Sequence, residues 1–230
     1  MSERLSIIIP VYNEINHVRS LIKQLRLKSK NKNEIIFVDG NSNDGTKEFL
    51  DKSKDVVVVN SKKSRSIQMN TGAGIASNKW LYFLHVDSIL PNHFDSFLLK
   101  NLMNKNILKC FQLKFDKNNF MLNIASYGTK YNIAWCRGGD QSVFINKSFF
   151  EQLGKFDERY LIAEDLVMFR KAYKHGKVII LPEKIITSSR KFLENGIFRT
   201  QFHHIIIRFL IFLDFSPNKI NSYAARIKNK

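Results

Sequence analysis

The sequence predicts an α/β fold in which a mostly parallel sheet is flanked by helices. Short apolar segments rich in Val, Ile and Phe alternate with longer amphipathic segments through the first 90 residues. This alternation favours parallel strands covered by helices on both faces. Several apolar segments end abruptly in Asn, Asp, Gly or Glu, so these polar groups are expected at the carboxyl ends of the strands. In an open α/β sheet, ligands bind at that edge.

The first half of the chain reads as a regular, Rossmann-like succession of strands and helices. The expected strands cover residues 5–10, 34–39, 55–60 and 79–86. The expected helices cover residues 16–28, 43–52 and 64–77. The first strand is not followed by a Gly-x-Gly-x-x-Gly turn, and the sequence has no phosphate-binding P-loop. The sequence therefore argues against a dinucleotide-binding domain, and any phosphate must be held in another way.

The pattern becomes less regular after Asp87. The expected elements are a helix at 93–103, a strand at 108–115, a helix ending near 131, a helix at 163–174, and a strand at 178–181 that ends in a turn at Pro182. The fourth of these is the best marked, because Glu164 and Asp165 fall in its first turn and Gly176 follows its end. This half of the chain is expected to be the less regular half of the fold.

Length and composition are those of one compact globular domain. The chain has 230 residues, of which 44% are hydrophobic and 25% charged, enough to bury a substantial core. We divide it into residues 1–90, residues 91–195 and a closing helical segment at 196–230. Lys and Arg number 37 against 20 Asp and Glu, which gives a formal net charge of +17. A surface with this charge would attract phosphates or anionic lipid. Alternatively, the charge reflects a solvated Lys-rich surface without such a partner.

The sequence argues against nucleic-acid binding and against export. No basic stripe with interleaved aromatic residues accompanies the positive charge. Cys110 and Cys136 have neither metal-ligand spacing nor partners for a disulfide framework, which fits core thiols in a reducing compartment. The chain enters a strand almost at once, and its longest apolar tract, 205–213, is shorter than the ~20 residues of a spanning helix. We therefore expect a cytoplasmic protein, either free or at the inner face of the membrane.

Five polar blocks follow one another along the chain. They are Ile9-Pro10-Val11-Tyr12-Asn13-Glu14, Val38-Asp39-Gly40-Asn41-Ser42-Asn43-Asp44-Gly45-Thr46, Leu84-His85-Val86-Asp87-Ser88, Gly138-Gly139-Asp140-Gln141 and Ala163-Glu164-Asp165. In these blocks and their order the chain resembles the family 2 glycosyltransferases with the GT-A fold. It is most similar to a bacterial branch that has His-x-Asp in place of Asp-x-Asp, some members of which are associated with arsenosugar biosynthesis.

The resemblance implies a donor half in the first ninety residues, which binds a nucleotide-diphosphate sugar, followed by an acceptor and catalytic half. The residues that it assigns to the donor are Pro10, Tyr12, Asn13, Glu14, Asp39, Asp44, Arg65, Gln68, Asn70, Asp87 and Arg190. Asp44 could instead cap the following helix, and Arg190 could be a surface cation. Gln68 and Asn70 could instead lie on an exposed helix face.

The resemblance also implies a divalent metal, Mn²⁺ or Mg²⁺, bound by Asp87 on the donor diphosphate. Such a hard cation prefers carboxylate oxygen and commonly shares substrate phosphates. This chain has His85 where many relatives have the first Asp of Asp-x-Asp, and Asp39-Gly40 where many have two acids. His85 is either a softer ligand that favours Mn²⁺ or a strand-end side chain packed on its neighbours. With fewer carboxylates, metal binding is expected to be weaker or to depend on the diphosphate.

Glu164 and Asp165 match the acidic pair that carries the catalytic base in this family. The base, for which we choose Asp165, takes the proton of an acceptor hydroxyl as that oxygen attacks the anomeric carbon. A single displacement of this kind inverts the anomeric centre. Without the resemblance, the pair would be two acids placed favourably at a helix amino terminus. Asp140 and Gln141 are expected near the acceptor or the sugar ring, where the preceding glycines allow close backbone approach.

The acceptor and the closing segment are left open by the sequence. The acceptor is a lipid-linked molecule or a small glycoside. The segment at 196–230 either packs across the domain, faces a membrane or joins a second copy. An alternative to catalysis is a nucleotide-sugar-binding or membrane-peripheral protein that kept the fold and lost turnover, for which the missing first Asp at His85 is the feature in favour.

Overall fold

Within residues 3–102 and 104–228, which the computed structural model describes, seven strands form one sheet flanked by ten helices. The strands are β1 (Leu5–Val11), β2 (Glu34–Asp39), β3 (Val57–Asn60), β4 (Trp80–Phe83), β5 (Ile107–Phe115), β6 (Val143–Asn146) and β7 (Lys177–Thr187). The helices are α1 (Ile15–Lys28), α2 (Thr46–Asp51), α3 (Arg65–Ile75), α4 (Phe94–Leu99), α5 (Phe120–Gly128), α6 (Lys147–Gln152), α7 (Glu164–His175), α8 (Arg190–Asn195), α9 (Ile197–Phe212) and α10 (Pro217–Lys228). The predicted α/β class is confirmed.

The strand order is β3-β2-β1-β4-β6-β5-β7, and most neighbouring strands are parallel. Strand β6 is the exception, because it runs antiparallel to both β4 and β5. The carboxyl ends of β1, β2 and β4 therefore lie at one edge of the sheet, and the amino end of β6 lies beside them, where Val143 pairs with Phe83. This edge carries the polar residues that follow the strands.

The core has two main layers, one on each face of the sheet. Successive side chains of a strand point to opposite faces. Ile7 and Ile9 of β1 accordingly belong to one buried cluster with Leu21 of α1, whereas Ile8 belongs to another with Met69 of α3. Strand β1 is therefore covered on both faces, as expected for a central strand of a parallel sheet.

Several element boundaries differ from those expected. The helix expected at 93–103 ends at Leu99, and Met103 lies outside the described residues. The strand expected at 79–86 ends at Phe83, so the chain leaves the sheet before His85. Strand β6 and helices α6 and α8 were not predicted, whereas α9 and α10 lie in the helical segment expected at 196–230. Cys110 is a buried free thiol as expected, and Cys136 is a half-buried one.

The turn expected at Pro182 is wrong, because β7 continues to Thr187. Leu181 and Lys184 pair with consecutive residues of β5, so Pro182 and the residue after it form a bulge. Proline cannot donate a hydrogen bond to the ladder and is tolerated at bulges and on edge strands. Strand β7 is an edge strand with a bulge at the proline, and the strand therefore passes through it.

We expect Gly72→Ala to destabilise the fold because helix α3 lies close against the sheet. A Cβ atom at Gly72 would be 2.5 Å from Ile8 Cγ2 and 3.0 Å from Val38 Cγ2. Overpacking of this kind costs about 1–3 kcal/mol in the free energy of unfolding, which urea denaturation would measure. Gly74→Ala in the same helix is the matched control, because nothing lies within 4 Å of its Cβ position. Equal stability of the two variants would contradict the close packing of α3.

Candidate active site

The floor of the candidate site is formed where β1 and β2 end. Gln68 of α3 is buried, and its Nε2 donates to the carbonyl oxygens of Val11 (2.8 Å) and Val38 (2.7 Å). Pro10 of β1 lies opposite Val38 in the parallel pair. One amide thus ties the carboxyl ends of two strands together. The exposed helix face considered for Gln68 is wrong, since both of its N–H groups are used inside the protein.

Asp39 ends β2 and is fully buried. Its carboxylate accepts hydrogen bonds from the backbone N–H of Ser42 (2.9 Å) and from the Ser42 hydroxyl. The Asn13 N–H donates to Ser42 Oγ (2.9 Å), and the Asn43 N–H donates to Asn13 Oδ1 (2.9 Å). Hydrogen bonds therefore join the loop after β1 to the loop after β2. The buried Asp39 holds Ser42, the residue through which the two loops meet.

Asp44 makes the contacts of a helix cap. Its carboxylate accepts from the backbone N–H groups of Ile15 (3.2 Å) and Thr46 (3.0 Å), which begin α1 and α2. Burial alone would raise the pKa of Asp44. These hydrogen bonds and that of the Thr46 hydroxyl outweigh burial and lower the pKa. A carboxylate at two helix amino termini is favourable for both helices. The capping alternative for Asp44 thus matches the structure, and its contact with a donor stays a prediction.

A cation that the sequence analysis did not single out lies at this edge. Lys63 Nζ is 3.6 Å from the centroid of the Tyr12 ring, a cation–π contact. A Cβ atom at Gly40 would be 3.3 Å from Lys63 Cα and 3.3 Å from Gln68 Nε2, so a larger residue there would crowd the floor. Glu14 Oε2 lies 2.6 Å from Nδ1 of the neighbouring His17. Tyr12 and Glu14 are half-buried and face the solvent in part.

Three distant segments meet at Gly139, in the loop that leads into β6. A Cβ atom at Gly139 would be 2.5 Å from Asp165 Oδ2 and 3.1 Å from His85 Nε2. His85 Nδ1 lies 3.2 Å from Asp140 Oδ1. The antiparallel pairing of β6 with β4 brings this about, because it puts the residues before β6 beside those that follow β4. We call His85, Asp140 and Asp165 the acid–histidine cluster.

Glu164 adjoins the cluster and is only 1% exposed. Burial and the negative charge of Asp165 raise the pKa of Glu164, while Arg65 opposes them. Arg65 Nε is 3.8 Å from Glu164 Oε1, which accepts no hydrogen bond from the described part of the chain. Burial would lower the pKa of Arg65, but Glu164, Asp165, Asp140 and Asp87 together raise it. Arg65 is therefore a cation that faces these acids, and its predicted contact with the donor stays a prediction.

The pKa of Asp140 is lowered, whereas that of Glu164 is raised. Burial alone would raise the pKa of Asp140. The hydrogen bond with His85 and the charges of His85, Arg65 and Lys191 outweigh burial and hold this pKa well below its usual range. Lys191 is the second residue of α8, whereas the predicted donor residue Arg190 is exposed at its start. Sequence reasoning thus identified the right segment but missed Lys191, the residue whose charge acts on Asp140.

Two side chains of helix α9, Arg208 and His204, lie beside the cluster, and the sequence analysis did not place them there. Arg208 donates to the carbonyl oxygens of Trp135 (3.0 Å) and Arg137 (3.1 Å), and one of its terminal nitrogens would be 3.6 Å from a Cβ at Gly138. Burial and the charge of Arg208 lower the pKa of His204, against the carboxylates of the cluster. The signal in the sequence is the pair of basic residues four apart within an otherwise apolar segment.

Asn70 and Gln141 have their polar groups bonded elsewhere. The Asn70 side chain donates to the carbonyl oxygen of Phe156 (2.9 Å) and accepts from the same residue's N–H (3.1 Å). Gln141 is 1% exposed and donates to the carbonyl oxygen of Phe111 (3.1 Å). The structure therefore joins Asp140, but not Gln141, to the cluster. The contacts predicted for Asn70 with the donor and for Gln141 with the acceptor stay predictions.

The residues that follow β4 suit a metal ion only if the substrate shares it. Asp87 is half-buried. Across residues 3–102 and 104–228, no three His, Cys, Asp or Glu side chains are grouped so as to hold a metal ion. His85 matches the packed alternative, with one ring nitrogen at Asp140 and the other facing Gly139. One or two carboxylates are enough when phosphate oxygens complete the coordination shell.

Comparison by sequence identifies one family. The model of glycosyl transferase family 2 matches residues 6–175, a range that contains all five polar blocks. No curated protein matches the chain by sequence.

Solved structures with the same arrangement of strands and helices are similar over nearly the whole chain. The mannosyltransferase PcManGT from Pyrobaculum calidifontis, in complex with GDP-Man and Mn²⁺, has a TM-score of 0.70 and 16% identity, over 99% of this chain and 70% of that one. TarS 1-349 from S. aureus has a TM-score of 0.66 and 16% identity, over 98% of this chain and 71% of that one. TarS in complex with UDP has a TM-score of 0.64, 16% identity and the same coverage. At this identity the likeness concerns the fold.

We expect Gly139→Ala to displace the carboxylate of Asp165 and to reduce activity while the protein stays folded. The new methyl group would occupy the position 2.5 Å from Asp165 Oδ2. Gly138→Ala is the matched control, because its Cβ would lie 3.6 Å from the nearest atom, an ordinary contact. Turnover assays and thermal melts of both variants would measure the effects. Full activity in Gly139→Ala would contradict the close approach of the loop to Asp165.

Proposed function

The chain belongs to glycosyl transferase family 2 and has the GT-A fold, and we propose that it transfers a sugar with inversion from a nucleotide-diphosphate sugar to a hydroxyl group. The observation that supports this most is the meeting of His85, Asp140 and Asp165 around Gly139, beside the edge where the strands end. At this edge open α/β sheets bind their ligands. Residues 1–90 form the donor half in this proposal, and residues 91–195 form the acceptor and catalytic half.

The nucleotide of the donor is proposed to bind over the ends of β1 and β2. Asp39 accepts two hydrogen bonds from Ser42 and is fully buried, so contact with a ribose or base requires the loop at Ser42 to move aside and free an acceptor position. Tyr12 and Lys63 offer an aromatic face and a cation at the same edge. UDP- and GDP-sugars are the donors to test first, because TarS was solved with UDP and PcManGT with GDP-Man.

Asp165 is proposed as the catalytic base. It is half-buried beside Gly139, whereas Glu164 is almost fully buried and has a raised pKa. Asp165 is thus the more accessible of the two carboxylates to an acceptor. As the acceptor oxygen attacks the anomeric carbon, Asp165 Oδ takes its proton, and the nucleoside diphosphate leaves from the opposite face. The anomeric configuration is therefore inverted.

The charge of the leaving diphosphate is proposed to be offset by protein cations and a divalent metal. Arg65, Lys191 and Arg208 all act electrostatically on the carboxylates of the site. Mn²⁺ or Mg²⁺ would be held by Asp87, with His85 as the second candidate ligand, and would supply positive charge on the phosphate oxygens. The Mn²⁺ in the structure of PcManGT with GDP-Man supports this choice.

Other parts of the proposal rest on the motifs. The resemblance to the branch with His-x-Asp rests on His85-Val86-Asp87, Asp39-Gly40 and Gly139-Asp140-Gln141. A cytoplasmic location and a lipid-linked or small glycoside acceptor also belong to the proposal. The second candidate function is nucleotide-sugar binding without turnover, and it is favoured by His85, which stands where many relatives have the first Asp of Asp-x-Asp. A donor that binds and is not consumed would identify it.

We expect Asp165→Asn to reduce turnover by about 10²–10⁴-fold and to leave donor affinity nearly unchanged. The loss is that of a general base, and the amide keeps the size of the side chain. Product formation and donor titration would give the two quantities separately. Asp214→Asn is the control, because Asp214 is exposed and pairs with Arg170 on the surface. Normal turnover of Asp165→Asn would show that another residue is the base.

Asp87→Ala is expected to abolish the difference in donor affinity between Mn²⁺ and chelator. The reason is that Asp87 would hold the ion, which would supply positive charge to the diphosphate. Calorimetric titration with each nucleotide sugar would measure it. Asp51→Ala, at an exposed Asp of α2 paired with Lys47, should behave like the unchanged protein. A variant at Asp87 that kept the full metal dependence would remove Asp87 from the metal site.

A further inference from the structure

Helix α9 presents an apolar face to solvent. Its exposed residues are Phe198, Arg199, Phe202, Ile205 and Phe209, so four of the five are large and apolar. The apolar four are spaced by four, three and four residues, which puts them in one stripe along the helix. The basic side chains His204 and Arg208 are instead only partly accessible and act on the carboxylates of the site. Helix α9 is therefore apolar on its exposed side as well as on the side whose Ile207, Leu210 and Ile211 pack in a buried cluster.

Helix α5 carries a second stripe of the same kind. Phe120, Ile124 and Tyr127 are exposed at spacings of four and three, and Phe120 is 77% exposed. The two helices adjoin, since Leu122 of α5 shares a small buried cluster with Ile197 of α9. The neighbouring helices α5 and α9 together expose seven large apolar side chains in two stripes, more than the scattered single residues of an ordinary surface.

The edge of this surface is aromatic and basic. Lys130 Nζ lies 3.4 Å from the ring centroid of Tyr127 and 5.0 Å from that of Tyr131. Tyr and Lys side chains with an apolar body and a polar tip are typical of the water–lipid interface.

The charge of both segments identifies the partner. Residues 114–137 contain the exposed Lys114, Lys117 and Lys130 and the fully buried Arg137, against one acid, Asp116. Residues 196–230 contain six Lys and Arg, and their single acid, Asp214, pairs with Arg170. Two copies joined through this surface would bring like charges together, whereas an anionic surface complements them. The charge therefore favours anionic lipid over a second copy.

We propose that α5 and α9 dock on the surface of an anionic phospholipid bilayer. The two stripes enter the headgroup region, and Lys117, Lys130 and Arg199 meet lipid phosphates. The protein lies on the membrane in this arrangement, and none of the described helices is long and apolar enough to cross it. The docking requires neither a bound donor nor turnover. Its test is therefore independent of the proposed transfer reaction.

Sedimentation with vesicles tests the docking. The full chain should bind vesicles of phosphatidylcholine with phosphatidylglycerol, bind much less to phosphatidylcholine alone, and dissociate at high salt. The double substitution Phe198→Ser with Phe202→Ser should weaken binding by about tenfold or more, because both apolar side chains leave the interface. Leu27→Ser is the matched control, since Leu27 is 72% exposed on α1, away from both stripes. Melting curves of each variant would show that the fold is kept.

Three results would overturn the docking proposal. The first is no binding to anionic vesicles. The second is equal binding by the double variant and by Leu27→Ser. The third is a dimer, seen by analytical ultracentrifugation, that the double variant abolishes while vesicle binding stays the same, because the stripes would then join two copies. We expect the double variant to bind the donor with unchanged affinity. Titration with the donor would show that the substitutions affect vesicle binding and not the proposed transferase site.

Discussion

The close approach of Gly139 to Asp165 and His85 is the constraint on which the rest of the site depends. The loop between α5 and β6 passes between the end of β4 and the start of α7, and a side chain at residue 139 would displace the Asp165 carboxylate and the His85 ring. Two non-glycine residues with positive φ adjoin this passage, Ala163 at 59° and Ser142 at 62°. Such conformations cost roughly 1–3 kcal/mol each and persist only where the surroundings impose them. The fold therefore holds the segments of the acid–histidine cluster in position at an energetic cost.

The sheet supplies the other half of this constraint. Gln68 joins the ends of β1 and β2, and Asp39 and Ser42 lock the loops above them. Strand β6 then runs antiparallel to β4 and returns the chain to the same edge. The polar residues that follow the parallel strands and the acid–histidine cluster beside the reversed strand thus lie along one edge. In the proposed reaction, the antiparallel course of β6 would place the donor site and the catalytic base beside the same substrate.

Much of the donor half could be predicted from the sequence, because buried parallel strands are apolar throughout and end abruptly in polar residues. The blocks around Asp39 and His85 were identified for this reason. Strand β6 was not predicted, since its four residues follow a loop and its pairing with β4 is a long-range contact. Gln68 was misjudged because its burial depends on how closely α3 lies on the sheet. Arg208 and His204 were missed because a local pattern of apolar residues does not tell which face of α9 turns inward.

The central claim is that the edge of the sheet binds a nucleotide-diphosphate sugar with help from a metal. Thermal melting of the protein with UDP-, GDP-, dTDP- and CDP-sugars, each in Mn²⁺, Mg²⁺ and chelator, tests it most directly. A ligand at ~100 times its dissociation constant stabilises a protein by about 2.7 kcal/mol, which is readily seen as a rise in Tm. The account predicts a rise for one nucleotide class, larger with metal than with chelator. An unchanged Tm with every nucleotide sugar and every metal would contradict it.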